Sequence, residues 1–428
     1  MRMTARSVAL EAVRRVTDEG AYSSRVVPAL LGRSGLADRD RALATELAFG
    51  TLRRLLALDR AIGLRSSRPV ARMSPGARAV IRLGAYQLAF TRIPAHAAVS
   101  ESVALATQRE RGFVNAVLRR LADDPASPPE GADDDAVAVR TGMAPWAVRE
   151  LRRLLGDDEA EVAAEAFGER ALLCLRTNTC RSTAVRLTEA LRSSGAEPRP
   201  ASLVSDCLLL DGGEPTRLPG FTEGWFAIQD QASAFVIRAL DVRPGHRVFD
   251  ACAAPGGKSA HAACLVGSTG FVAAGEIHPE RVSSIRAIGE RLGSRIAVLA
   301  QDATRPALRG GFDRVLVDVP CSGIGSARRR PELLWRPRAA DLSGLARRQV
   351  EIAAGASDLL RPGGRLVYSA CTFPRAETDA ACDALRRHRP ELEPTSIEGP
   401  EGPATRVRLW PHRNGSDGMF LAAFTKRG

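Results

Sequence analysis

The sequence predicts a multidomain protein: an all-α domain, a small α+β module and a doubly wound, Rossmann-like α/β domain, in that order. Three observations predict it. Residues 1–122 carry helical spacing of apolar side chains and no strand pattern. The stretch DDPASPPEGADDD at 123–135 then breaks that pattern with linker chemistry, too polar to pack and too rich in proline to stay helical. From residue 236 short apolar runs of strand character alternate with helical stretches, the rhythm of parallel βαβ units. The intervening residues 136–235 read as a mixed module.

In the helical domain, Thr4 is expected to cap a helix carrying Val8, Ala12, Val13 and Val16 on one face. Asp38 is expected to cap a second helix, through Leu43, Leu47, Leu52 and Leu56. Ser74-Pro75 opens another, a capping side chain followed by proline at the first helical position. Further helices are expected around 99–107 and 112–121. The α+β module should begin with the helix from Pro145-Trp146, then hold strands near 172–176 and 207–210 around a helix at 182–193. The α/β domain should place strands at 247–252, 270–276, 296–301, 313–319 and 365–369. Ligands of such sheets sit beyond the carboxyl ends of the strands.

Composition narrows the function classes. No run approaches the roughly 18 apolar residues of a membrane span. The opening MRMTARSVALEAVRRV is interrupted by Glu11, Arg14 and Arg15, which is not a secretory h-region, so a cytoplasmic location is expected. Eight cysteines without a CxxC pair, and six scattered histidines, give neither a disulfide framework nor a metal site. Cys174, Cys180, Cys207, Cys264 and Cys382 are expected to pack as small hydrophobes. The formal charge of +12 is local: residues 1–120 hold 21 Arg against 9 Asp or Glu, which leaves the remainder neutral. A basic module on a neutral one points to phosphate-backbone binding; a solubilising surface is the alternative.

The first strand of the α/β domain ends in Asp250-Ala-Cys252-Ala253-Ala254-Pro255-Gly256-Gly257-Lys258, and a helix follows at once. Small residues and paired glycines let backbone amides approach a ligand at a helix N-terminus. The pattern is neither the dinucleotide GxGxxG nor a Walker loop. Glu276 closes the second strand, where a carboxylate can accept ribose hydroxyls, and Asp302 closes the third, placed to meet an adenine amino group. Together these favour an adenosine ligand without phosphates. The fourth strand ends in Asp318-Val-Pro-Cys321 and the fifth in Tyr368-Ser-Ala-Cys371, so two cysteines can face one pocket from strand ends.

The segments DACAAPGGK, DVPCSGIG, RRRPELLWR, YSACTFPRAET and RLWPHRNGSDGMF resemble the signatures of the NOL/NOP2/Sun family of RNA cytosine-5 methyltransferases. RDRALATELAFGTLRR and GFVNAVLRR resemble the NusB-like RNA-binding domain of its bacterial Sun (RsmB-type) branch. The resemblance covers nearly the whole chain. It implies an S-adenosylmethionine-dependent enzyme acting on small-subunit (16S) ribosomal RNA, free or in an assembling subunit. It implies Cys371 as the nucleophile, Cys321 as the group assisting product release, and Asp318 and Lys258 as residues of the cofactor and base pocket. Two departures stand out: Ala370 where the family has threonine, and Glu276 where it has aspartate. Arg328, Arg329 and Arg330 could hold RNA phosphates or form a solvated face.

Carbon-5 of cytosine is a poor nucleophile, and thiolate addition at carbon-6 turns it into an enamine-like carbon; that is why such a site needs a cysteine. An amino-group methyltransferase would need an aromatic residue after Asp318-Val-Pro, which is lacking. A lapsed enzyme serving in RNA binding or ribosome assembly would have lost a cysteine or the glycine turn, and both are kept. A DNA cytosine methyltransferase would place its nucleophile in the proline–cysteine segment and lack the second cysteine.

Overall fold

The computed structural model describes residues 3–428. The chain divides into two compact units, one running to Glu169 and including Ala327–Pro337, the other made of Arg170–Ser326 and Arg338–Gly428.

The first unit is helical. Its helices are α1 Ala5–Asp18, α2 Ser23–Ser34, α3 Asp38–Arg53, α4 Leu55–Arg65, α5 Pro75–Phe90, α6 Ala95–Leu105, α7 Arg111–Asp123, α8 Asp134–Thr141, α9 Pro145–Leu155 and α10 Asp157–Phe167. Thr4 caps α1: its hydroxyl accepts the Ser7 amide at 3.1 Å while Ser7 Oγ accepts the Thr4 amide at 2.8 Å. The predicted stripe Val8, Ala12, Val13 and Val16 is buried. Ser74 caps α5 through the Ala77 amide at 3.2 Å. Asp38 does not cap α3. Ala37 stands at that position and Asp38 lies in the first turn, where a carboxylate still favours the helix end.

Helices α8–α10 fall within this unit, whereas the sequence groups residues from 136 with the α+β module. Their apolar faces, including Val137, Val148, Leu151, Ala163 and Phe167, are buried. The segment Ala327–Pro337, far away in sequence, is also built in. Glu332 is fully buried and accepts the Ser23 amide at 3.1 Å and Ser23 Oγ at 2.6 Å. Trp335 Nε1 donates to the Leu52 carbonyl at 2.9 Å. Arg336 donates to the carbonyls of Val16, Gly20 and Ala21 at 2.7, 3.1 and 2.8 Å, satisfying acceptors that the end of α1 leaves open.

The second unit begins with a four-stranded antiparallel sheet in the order β2-β3-β1-β4: β1 Leu173–Thr177, β2 Arg199–Pro200, β3 Cys207–Leu210 and β4 Phe226–Ile228, with α11 Ala184–Ser193. Then come α12 Gln231–Leu240, β5 Arg247–Asp250, α13 Gly257–Val266, β6 Phe271–Glu276, α14 Pro279–Leu292, β7 Ala297–Ala300, β8 Phe312–Asp318, α15 Leu342–Ser357, β9 Leu360–Ala370 and α16 Asp379–His388. The chain closes with β10 Leu392–Thr395, β11 Ile397–Gly399, β12 Gly402–Ala404, β13 Arg406–Leu409, α17 Pro411–Asn414 and β14 Met419–Lys426. The main sheet runs β10-β14-β9-β8-β5-β6-β7, with β13 also on β14. β5 through β9 pair in parallel and β14 joins β9 antiparallel. The strand order reverses between β5 and β8, which makes their carboxyl ends the switch point where ligands bind in such sheets.

Cys180 and Cys264 correct the expectation that both pack as small hydrophobes: they form a disulfide, their Cα atoms 5.8 Å apart and 84 residues apart in sequence. The turn after β1 meets α13 there, a proximity that sequence spacing does not carry.

Replacing Glu332 with alanine would leave the Ser23 amide and hydroxyl buried without an acceptor. We expect Glu332→Ala to lower the unfolding free energy by roughly 2–3 kcal/mol, read by urea unfolding; an unchanged midpoint would contradict this account of the segment.

Candidate active site

Asp250 ends β5, and the chain turns through a cis Ala254–Pro255 bond into Gly256, whose φ of 114° suits glycine. A Cβ at Gly256 would lie 3.0 Å from Ile285 Cα, so the turn lies close against α14. α13 starts at Gly257, and its first-turn amides face the turn. The Ala253 amide donates to the Gly275 carbonyl at 2.9 Å, which ties the turn to β6. Cys252, inside the turn, has its thiol pushed up by burial and then by Asp250.

Lys258 reaches from the first turn of α13 to Asp318 Oδ2 at 2.7 Å, and Ser369 Oγ donates to Asp318 Oδ1 at 2.7 Å. One carboxylate thus joins α13, β8 and β9. Burial works against the Lys258 charge, but Asp318 outweighs it and the ammonium is held more firmly protonated; Cys371 contributes in the same sense. Beside this pair, Ser259 Oγ donates to Asp250 Oδ2 at 2.6 Å. Burial raises the Asp250 carboxyl to about 6, with Asp318 adding and Ser259 opposing.

Glu276 ends β6 almost wholly buried. It accepts the His278 amide at 3.1 Å and pairs with Arg281 at 3.3 Å, and Arg281 also donates to the Ala254 carbonyl at 3.3 Å. Glu276 is therefore fixed through Arg281 to the glycine turn. Asp302 stands two residues beyond β7. Oδ1 accepts the Thr304 amide and hydroxyl at 2.9 and 2.8 Å, and both oxygens lie 3.1 Å from Arg348. The Thr304 bonds, with Arg348, hold its carboxyl below the ordinary range. A cavity of about 560 Å³ opens here, lined by Asp302, Thr304, Arg305, Arg348, Glu351 and Gly355 among others.

Cys321 and Cys371 come together, Sγ to Sγ 3.4 Å. Their loops are laced along the backbone: the Gly325 amide donates to the Cys371 carbonyl at 3.0 Å, and Gly418 donates to Gly325 at 2.8 Å. A Cβ on Gly325 would stand 2.8 Å from the Cys371 backbone, so only glycine permits this approach. Ser322 Oγ and Thr372 Oγ1 share a hydrogen bond at 2.7 Å. The bond to Cys371, then burial, pushes the Cys321 thiol well above its ordinary range.

The sequence reading missed Glu377. Fully buried, it accepts the Ser322 amide at 2.8 Å, Gln349 Nε2 at 2.9 Å and Thr372 Oγ1 at 3.3 Å, and so sets both cysteine loops. Its only signal was its place in YSACTFPRAET, where a loop acid looks solvated. Ala370 is fully buried among apolar neighbours and carries no hydroxyl beside Cys371. Arg328, read as part of a basic run, is buried and not a solvated face. Among the described residues no helix is long and apolar enough to cross a membrane.

Comparison with known proteins adds to this geometry. Residues 237–425 match the family described as 16S rRNA methyltransferase RsmB/F, and residues 3–123 match the NusB family. A Mycobacterium tuberculosis protein named as a methyltransferase is 38% identical over 451 residues, covering 99% of this chain and 96% of that one. Ribosomal RNA small subunit methyltransferase B of Salmonella arizonae is 32% identical over 431 residues, covering 99% and 98%. The crystal structure of PH0851 shares the fold over 100% of both chains, with a TM-score of 0.86 at 22% identity.

The raised Asp250 carboxyl has a consequence for stability. The folded chain binds this proton more tightly than the unfolded one, so the contribution of Asp250 to stability is full at low pH and is lost as pH rises from about 4 through about 6. Asp250→Asn should flatten that part of the profile. Denaturant midpoints measured across the window check it; an unaltered slope would refute the assignment.

Proposed function

The chain belongs to the RsmB/F family of 16S ribosomal RNA methyltransferases, and we propose that it methylates carbon-5 of a cytosine in that RNA through a covalent bond from Cys371 to the base. The observation that carries this reading is the pair of thiols 3.4 Å apart at the ends of β8 and β9, close to the Lys258–Asp318 ion pair.

The residues present fit S-adenosylmethionine. The turn from Cys252 through Ala253, Ala254, Pro255, Gly256 and Gly257 offers amides and no bulk, Glu276 suits ribose hydroxyls, and Asp302 suits an adenine amino group. The two cations at the turn, Lys258 and Arg281, are each paired with a carboxylate, Asp318 and Glu276. When bound, this cofactor supplies an electrophilic methyl group on its sulfonium.

Cys371 acts as a thiolate, which the Lys258 ammonium favours. Its sulfur adds to carbon-6 of the ring, aromaticity is lost, and carbon-5 becomes nucleophilic enough to take the methyl group. The carbon-5 proton then leaves to a base, the ring double bond re-forms and the Cys371–carbon-6 bond breaks. Cys321 keeps its proton because of the bond to Cys371 and burial. From 3.4 Å it can hand that proton to the departing Cys371 sulfur. Addition needs only one sulfur, whereas release draws on both.

The helical unit supplies RNA affinity in this reading. Arg68, Arg111, Arg119 and Arg120 are exposed. Arg68 stacks over Phe113 at 4.9 Å and Arg120 donates to the Arg65 carbonyl at 3.3 Å, which brings the ends of α4 and α7 together as one basic face. We expect Arg68→Glu with Arg119→Glu to weaken RNA binding and flatten its dependence on salt, while cofactor affinity measured by calorimetry is unchanged. Equal salt slopes for the variant and the parent would show that RNA binds elsewhere.

The cysteines are separated by a denaturing gel after incubation with RNA and cofactor. Cys371→Ala should give neither methyl transfer nor adduct. Cys321→Ala should transfer the methyl group and then stall as a protein–RNA complex that survives denaturation. The reverse pattern would exchange the two roles, and full activity of both variants would refute covalent catalysis here.

A further inference from the structure

The two thiols at the strand ends have a second reaction open to them. Their sulfurs are in van der Waals contact at 3.4 Å, where a disulfide needs about 2.05 Å. Their loops are held together by the Gly325–Cys371 backbone bond and the Ser322–Thr372 hydroxyl pair, with Glu377 beneath both. Both cysteines are half-buried residues, not sealed in the core, and only the Cys371 sulfur need meet the oxidant. Lys258, nearby, favours one of the two as a thiolate.

We infer that Cys321 and Cys371 form a redox-sensitive dithiol, which hydrogen peroxide closes to a disulfide that silences the site until a dithiol reductant reopens it. The loss of activity rests on Cys371 being the nucleophile; the closure itself does not. In the first step the Cys371 thiolate attacks one peroxide oxygen and the O–O bond breaks. Hydroxide leaves and is protonated to water, and Cys371 becomes a sulfenic acid. The Cys321 sulfur then attacks Cys371 Sγ. The S–O bond breaks, and the departing hydroxide takes the Cys321 proton as a second water. The two sulfurs together lose two electrons, and one peroxide is reduced to two waters. The reductant that prepares the chain also opens the Cys180–Cys264 bridge, so a total thiol count would mix the two pairs; a peptide map separates them.

The test uses the full chain, reduced, freed of reductant, treated with hydrogen peroxide and then alkylated. A non-reducing peptide map should join Cys321 to Cys371 with neither alkylated, and methyl transfer should be lost and then recovered with dithiothreitol. In Cys321→Ala the same treatment should leave a sulfenic acid on Cys371, captured by dimedone. The inference is overturned if both cysteines of the parent chain are alkylated after peroxide, or if Cys371 passes to sulfinic acid while Cys321 stays free. A cross-link in a chain that never methylated RNA would sink the proposed function and leave this inference standing. Methyl transfer without a cross-link would do the opposite.

Discussion

The Lys258–Asp318 ion pair is the contact on which the candidate site depends. A charge as enclosed as the Lys258 ammonium, 14% exposed, would be costly without an opposite charge in reach. Asp318 supplies it from the end of β8, across the point where strand order reverses. The same carboxylate takes the Ser369 hydroxyl from β9, two residues before Cys371. A single side chain therefore sets the distance between the glycine turn and the strand that carries one of the cysteines. The ion pair also keeps the ammonium from becoming a general acid: a lysine bound to Asp318 is a fixed positive charge, useful for favouring an anion nearby.

A second buried acid performs the corresponding task for the cysteine loops. Glu377 gathers an amide from the Cys321 loop, a hydroxyl from the Cys371 loop and an amide side chain from α15. Tyr368 adds bonds to Gln349 and to the Glu377 carbonyl at 2.9 and 2.7 Å. Buried polar networks of this kind contribute when every member is satisfied, because a half-satisfied one is worse than apolar packing. The asymmetry of the two sulfurs follows from this arrangement. Cys371 lies on the side of the fixed cation, while Cys321 sits in the closely bonded loop and keeps its proton.

Much of this was legible in the sequence because it is local. A strand end followed by a glycine turn, a carboxylate closing the next strand, a capping threonine or serine: each is written within ten residues, and each stands where its pattern placed it. What escaped was non-local or lacked a start signal. Helix α2 has Pro28 inside it and no capping side chain, so its beginning is silent. β14 opens with MFLAAF, an unbroken apolar run because both faces of the sheet are covered there, and it shows no alternation to mark it. The Cys180–Cys264 bridge and the role of Glu377 depend on partners tens of residues away or on burial, and neither is visible in composition or period.

The segment Ala327–Pro337 shows how such non-local structure changes what an experiment means. The chain leaves β8 past Cys321, spends these residues inside the helical unit, and returns to begin α15. Its anchors lie on α2, at the ends of α1 and α3, and beside α9. Removing residues 1–135 would take away the first three and leave Glu332, Trp335 and Arg336 without the groups that satisfy them, while α8–α10 remained behind without their neighbours. A fragment beginning at residue 136 would then leave Ala327–Pro337 unheld whether or not the helical unit binds RNA, so its loss of activity would not isolate RNA binding. Point substitutions on the exposed arginines of α7 avoid this confusion, because they change charge and leave every buried partner in place. The helical unit thus holds the Ala327–Pro337 segment as well as offering a candidate RNA surface, and only changes confined to that surface can distinguish the two contributions.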